Sequence, residues 1–464
     1  MKKATYSAEF PRQKQKITYL CTLMMNSRDQ QILRIALPSI VSNITVPLLG
    51  LIDVAVVGHM GDAVYIGAVA VGSMIFSLIY WVFGFLRMGS SGLTSQALGR
   101  RDLPEVTRLL VRALSIAFGI ALLMLVFQVP MKWLMFRLIE PTADVAPLAA
   151  VYFRIAVWGA PAVLGFYSLS GWYIGMQNTR IPMFISMMQS MVNIIASLTF
   201  VYGLGMRIEG VALGTVVAQY TGFLVAVGLL FRYYGRLRTY LRLRGVFVRD
   251  AMARFFHVNR DIFLRTFCLV AVNLYFTSAG ARSGAVILSV NTVLMQFYLL
   301  FSYFMDGFAY AGEALGGRFY GARNGMAFRD TVRRLFGWAV VVTAMCTLVY
   351  VLWGQAFVGL LTDEPSVVDA SREYIFWAWL IPAAGAAAFI WDGVFIGITA
   401  TRGMLLSSFL SAFAFFAVYF LFRDAWGNHA LWLAQTVCLS MRGIVQTLWM
   451  RRLAPMLAAQ SGQS

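Results

Sequence analysis

Four acids fall inside long apolar runs of this chain: Asp53, Asp306, Glu313 and Asp392. A charge at the centre of a bilayer costs at least ~2.5 kcal/mol, so an acid at that depth marks a proton, ion or ligand site, or is tied into the packing. Asp53 is the only acid in the apolar interior of the first six runs. Either it takes and releases a proton near neutral pH, or it lies near the outer helix end bonded to backbone. Asn193 and Ser197 are four residues apart with Gln189 one turn earlier, a stripe that lines a water-filled cavity or stitches two helices together. Asp306 and Glu313 lie seven apart on one helix face, and Asp392 stands between Trp391 and Gly393. Functional and structural readings both fit Asp306 and Asp392. Glu313, beside Arg318 and Arg323, is expected in a surface ion pair. Arg87 and Arg154 either snorkel to an interface or pair with an acid.

Nothing in the chain looks like an enzyme centre. His-Glu-x-x-His, a Walker lysine loop and Cys-x-x-Cys are absent, and His59, His257 and His429 do not cluster. No metal and no cofactor is expected. Without an ATP-binding motif, uphill movement would draw on an ion gradient, which supplies about 2.3 kcal/mol per charge per 100 mV.

The elements that position these residues are set by composition. Of 464 residues, 60% are hydrophobic and only 12% charged, about half the charge a soluble protein of this size carries. The apolar residues form twelve runs, near 32–57, 64–92, 107–128, 145–174, 181–203, 209–231, 258–280, 285–313, 335–355, 373–398, 403–422 and 429–450. Runs of about 20 residues cross a ~30 Å hydrocarbon core as helices, whereas a β-barrel would show ten-residue alternation. The expected fold is therefore an all-α integral membrane protein with twelve transmembrane helices. Cys21, Cys268, Cys346 and Cys438 are too scattered for a disulfide scaffold.

The net charge of +18 suits phosphate binding at first sight, but its placement follows membrane topology. Only Lys132, Arg137, Arg207, Arg282, Arg372 and Arg423 fall on one side of the membrane; the other side holds the bulk, including nine arginines from Arg232 to Arg265. The positive-inside bias puts both termini in the cytoplasm and removes the need for a nucleic-acid partner. Residues 1–31 read as a cytoplasmic tail with no apolar leader, Met24 and Met25 being further candidate starts. Residues 32–231 read as an N-terminal six-helix lobe, 232–257 as a basic linker, 258–450 as a C-terminal lobe and 451–464 as a second tail.

The halves repeat. At an offset of 222, Gly58 matches Gly280, Gly99 matches Gly321, Arg101 matches Arg323 and Tyr152 matches Tyr374, and the stretch from Gly171 to Arg180 matches that from Gly393 to Arg402. Six spans per half make this a parallel repeat about an axis along the membrane normal, an architecture that places substrate between the halves. Pro38 and Pro47 permit bends in the first span. The 24 methionines and 36 phenylalanines suit an adaptable hydrophobic cavity, although any single one more often simply packs.

Residues 37–59, Asp306 to Leu315, Asn259-Arg260-Asp261, Asp392-Gly393 and Gly427 to Ala434 together resemble the multidrug and toxic compound extrusion (MATE) family, its DinF branch in particular. The resemblance covers nearly everything after residue 27. It implies two six-helix lobes around a cleft and export of cationic or amphipathic compounds in exchange for H⁺ or Na⁺ at the inner membrane. It further implies an N-lobe coupling site formed by Asp53, Asn193, Thr215 and Tyr152, with Pro38 as the bending residue. The family's fifth-helix aspartate falls on Ser197 and a fourth-helix asparagine near Ser170, which leaves one carboxylate where Na⁺ binding would use two. In other branches a tenth-helix acid couples cations, at or near Asp392; Asp306 and Glu313 are the other C-lobe candidates. The leading expectation is a monomeric proton-coupled multidrug antiporter in the lipid bilayer. The alternative is a flippase of lipid-linked saccharides, or another amphipathic metabolite exporter, of the same superfamily.

Overall fold

The computed structural model describes residues 27–58, 63–241 and 245–461, with the side chains of 46–58, 63 and 454–461 outside the described set. Twelve helical rods follow one another: α1 Ser27–Gly58, α2 Val64–Gly99, α3 Leu103–Val126, α4 Val145–Gly175, α5 Arg180–Gly203, α6 Ile208–Tyr240, α7 Arg249–Arg282, α8 Ala285–Gly321, α9 Gly325–Leu361, α10 Pro365–Gly397, α11 Thr401–Trp426 and α12 Asn428–Ser461. A short helix, Gln128–Ile139, joins α3 to α4. The ten rods α2 to α11 are each long and apolar enough to cross a membrane, and no strand occurs among the described residues. Many begin or end several residues beyond the apolar runs, because polar end turns continue the helix where its backbone groups still need partners.

The internal repeat is written into the backbone. Asp102 caps α3 by accepting from the Glu105 amide at 3.1 Å, and Asn324, 222 residues on, caps α9 by accepting from the Ala327 amide at 2.9 Å. Arg101 and Arg323 both adopt left-handed φ, +59° and +54°, and so do Gln177 and Thr399, at +64° and +55°. Such φ values strain a side-chain-bearing residue, Thr399 most of all because it is β-branched.

Glycines set the close crossings in matched pairs. Gly171 meets the Arg87 carbonyl and Gly393 the Ala309 carbonyl; Gly175 meets that of Ser91 and Gly397 that of Glu313. Between the halves, Gly99 packs on the Arg318 carbonyl and Gly321 on that of Gln96, where any Cβ would clash. Across the same crossing Gln96 Nε2 donates to the Thr399 hydroxyl (3.1 Å) and the Gly397 carbonyl (2.8 Å), and Arg318 Nη1 donates to Gln177 Oε1 (2.9 Å). Gln96 and Arg318 are repeat mates, as are Gln177 and Thr399. The halves thus clasp each other twice at one end of the molecule.

The apolar cores follow the halves apart from Ile174 of α4, Phe255 of α7 and the first half of α1. Ile32, Ile35, Ala36 and Ile40 of α1 belong to the core of the second six helices, and Gly307 of α8 packs on the Ile40 side chain and the Ala36 carbonyl. Asp29 extends this docking by pairing with Arg334 of α9 at 2.5 Å. The first half of α1 therefore bridges the lobes, with α5 packed along it.

Candidate substrate path and coupling site

The polar stripe of α5 does both things its spacing allowed. Asn193 Nδ2 donates to Thr215 Oγ1 of α6 at 3.3 Å, while Ser197 Oγ donates to Asn193 Oδ1 at 3.3 Å. Gly214 brings α6 against Ser197, where a Cβ would overlap the hydroxyl. That stitching leaves Asn193 and Thr215 on the wall of a cavity of about 440 Å³ inside the first six helices, together with Gln189, Gln219 and Tyr80. Ser197 is fully buried behind this wall. Tyr152 stands apart from the trio: its ring packs on Gly72 of α2 and its hydroxyl lies 3.4 Å from Ser73 Oγ. The side chain of Asp53 lies outside the described residues.

A second cavity, about 530 Å³, opens between the halves. Its wall takes Ser39, Ser42 and Asn43 from α1, Arg87 from α2, Ser170 from α4, and Tyr303, Asp306 and Tyr310 from α8. Ser170 thus faces the inter-lobe chamber and not the Asn193 group. Tyr80, Phe166, Tyr167 and Ser186 line both cavities, so the chambers adjoin along α5. The close crossing that leads to the double clasp begins one turn beyond this chamber on α2, where Gly92 meets the Ile396 carbonyl.

Glu313 departs from its expected place. Instead of a surface ion pair with neighbours on its own helix, it is 1% exposed and lies 3.6 Å from Arg87 of the other half. Two features take it inside: α8 runs on to Gly321, and a π-helical turn over Gly312–Gly316 changes the helix phase where Glu313 stands. Arg87 is likewise buried, its guanidinium 4.5 Å above the Tyr310 ring. Arg154 is exposed and lines neither cavity.

Asp392 is enclosed by donors. Arg265 of α7 ion-pairs with it, Gln446 Nε2 donates to its Oδ1 at 2.6 Å, and Arg442 of α12 approaches to 3.8 Å. Arg265 was expected with the basic segment outside the membrane, but α7 is one rod from Arg249 and its sixteenth step lands about 24 Å in. Arg442 lies buried within the last apolar run. The available signal was an arginine inside an apolar window, which demands an acid somewhere in the bundle. Asp306, by contrast, makes no hydrogen bond or ion pair with a described side chain and faces the inter-lobe cavity.

The MatE family model matches this chain twice, over residues 38–199 and 262–423, one match per half. DNA damage-inducible protein F of Escherichia coli (strain K12) is 37% identical over 443 residues, covering 94% of this chain and 95% of that relative. A probable multidrug resistance protein NorM from Photorhabdus laumondii is 21% identical over 381 residues, covering 81% and 83%. Among solved structures, a MATE transporter in the bent conformation superposes with a TM-score of 0.84 at 19% identity, covering 94% of this chain and 98% of that one. The Vibrio cholerae MATE transporter VcmN in its bent form gives 0.82 at 16% identity, covering 94% and 98%. With both repeats matched, the DinF-type relative aligned almost end to end and the same two-lobed helical fold, the chain belongs to the MATE family of transporters.

Proposed function

We propose that the chain exports small cationic or amphipathic compounds in exchange for H⁺, the two halves rocking about the inter-lobe chamber. The observation that carries this reading is the pair of adjoining chambers, one between the lobes and one inside the first lobe, that share Tyr80, Phe166, Tyr167 and Ser186. A compound in the first chamber and a coupling group beside the second can therefore influence each other through common walls. Asp53 is the proposed proton carrier. It lies ten residues beyond Asn43 along α1, about 15 Å, while Asn193 and Ser197 lie seven and eleven beyond Ser186 along the neighbouring α5. Asn193, Ser197 and Thr215 are neutral, which supports protons over Na⁺: one carboxylate neutralises a metal ion poorly but suffices for a single proton.

The proposed setting is the inner membrane, with the termini and the clasped end cytoplasmic and the lobes spanning 32–231 and 258–450; the protein works as a monomer. A pyrophosphate flippase would need several cations on the cavity wall, whereas Arg87 is the only one on the described wall. The test is Asp53→Asn in everted vesicles. Replacement with a permanently neutral group of the same size should abolish substrate-driven dissipation of ΔpH in a folded protein. Near wild-type antiport would move the proton site elsewhere.

A further inference from the structure

The two halves treat one arginine of the repeat differently. Arg112 of α3 and Arg334 of α9 are repeat mates at the 222 offset, and α1 and α7 begin in the same register, at Ser27 and Arg249. In the second half Asp29, the third residue of α1, pairs with Arg334, which Asp330 also holds. In the first half the third residue of α7 is Ala251, which brings no charge. Arg112 is 1% exposed; its Nε donates to the Val246 carbonyl at 2.9 Å and its Nη1 to Glu105 at 3.2 Å, but its Nη2 is buried without a hydrogen bond. Glu105 does not neutralise Arg112 alone, because Arg108 shares that carboxylate at 3.6 Å.

Beside Ala251 the first half has a pocket of about 230 Å³, which shares no lining residue with either chamber. Arg100, Arg112 and Arg254 line it against Glu105 and Asp250, a surplus of positive charge. Partial burial and the nearby Arg254 both hold the Arg100 pKa below its ordinary value, so these guanidiniums repel one another. Asp250 and Ala251 lie in the first turn of α7, where backbone amides lack helical partners and the helix end is positive. Arg254 also donates to Gln96 Oε1 at 3.2 Å, which sets the pocket next to the clasp. We propose that this pocket between α2, α3 and α7 binds a phosphate group, which supplies from outside the chain the negative charge that Asp29 supplies in the other half. The pocket is too large for a monatomic anion, and guanidinium forks beside a helix start suit a polyatomic oxyanion. A basic pocket between membrane helices at their cytoplasmic end suits the headgroup of an anionic phospholipid, and inorganic phosphate offers the same chemistry.

The test melts the full chain in phosphatidylcholine nanodiscs while inorganic phosphate replaces chloride at equal ionic strength, and again in nanodiscs that contain phosphatidylglycerol without free phosphate. Occupancy of the folded state should raise the melting temperature in a concentration-dependent way. Stabilisation by phosphatidylglycerol that also removes the response to free phosphate supports the proposal with a lipid headgroup as occupant; a response to free phosphate alone supports it with the soluble ion. Ala251→Asp gives the first half the carboxylate of the second and should weaken the apparent affinity for either ligand at least about tenfold, the loss of one charge-assisted contact. Ala251→Asn, equal in size but neutral, should bind nearly as the wild type does. Wild-type protein stabilised by neither ligand overturns the proposal without any variant having to fold. Stabilisation that persists unchanged in Ala251→Asp overturns it as well, since anions would then be acting on the arginines of this end at large.

Discussion

Buried charge in this molecule divides into groups held by partners and groups left open. Asp392 is held: two arginines and an amide surround it, so removing its charge strands Arg265 and Arg442 in the bundle. Breaking such a pair from one side costs about 3–5 kcal/mol. Asp392→Asn should therefore lower the thermal stability of the purified protein markedly, whereas Asp306→Asn, which breaks no pair, should leave it nearly unchanged; equal melting temperatures would contradict this division. The sequence made the four acids visible but not the difference between them, because partnership is a tertiary fact. Glu313 looked like a surface residue from its neighbours Arg318 and Arg323, yet its partner comes from a helix more than 200 residues earlier. Asn193, Ser197 and Thr215 were legible as a group, since helical spacing alone puts the first two on one face and the family resemblance named the third.

At the scale of helices, two devices are poised for movement. The first is α1 around Pro38, where the Ile35 carbonyl accepts from both the Ser39 hydroxyl (3.0 Å) and the Thr179 hydroxyl (2.9 Å). Proline removes one backbone donor and such side-chain bonds loosen a helix further, so α1 can bend there at little cost. Pro38→Ala restores the donor and should slow export several-fold while leaving substrate affinity unchanged; an unaltered export rate would count against a bending step. The second device is the double clasp of Gln96 with Thr399 and Arg318 with Gln177. Gln96→Leu with Arg318→Met removes it from both repeats. Labelling of Ser95→Cys, a position buried in that crossing, by an impermeant maleimide should then accelerate at least about tenfold, the effect of ~1.4 kcal/mol. An unchanged rate would mean that the glycine packing alone closes this end. The helices themselves were readable as apolar runs and their repetition as a constant offset. The clasp was not, because Gln96 and Thr399 are unremarkable until two left-handed turns bring them together.

For the whole molecule, the proposed exchange would use the two lobes and their adjoining chambers to turn a local protonation into a change of access. The proposal of H⁺ as the driving ion rests on Asp53 as the one candidate carboxylate of the N-lobe site and on Ser197 standing where a dehydrated Na⁺ would want a second acid. The twofold internal repeat gives the lobes a common frame, yet their charges differ, with the described ion pairs inside the bundle concentrated in the second lobe and at its border with the first. The most direct test is substrate efflux from proteoliposomes at constant pH and clamped membrane potential, with and without an imposed Na⁺ gradient, set beside efflux driven by ΔpH alone. Efflux should follow ΔpH and be indifferent to Na⁺. Efflux that rises steeply with the Na⁺ gradient while ΔpH is zero would contradict the account.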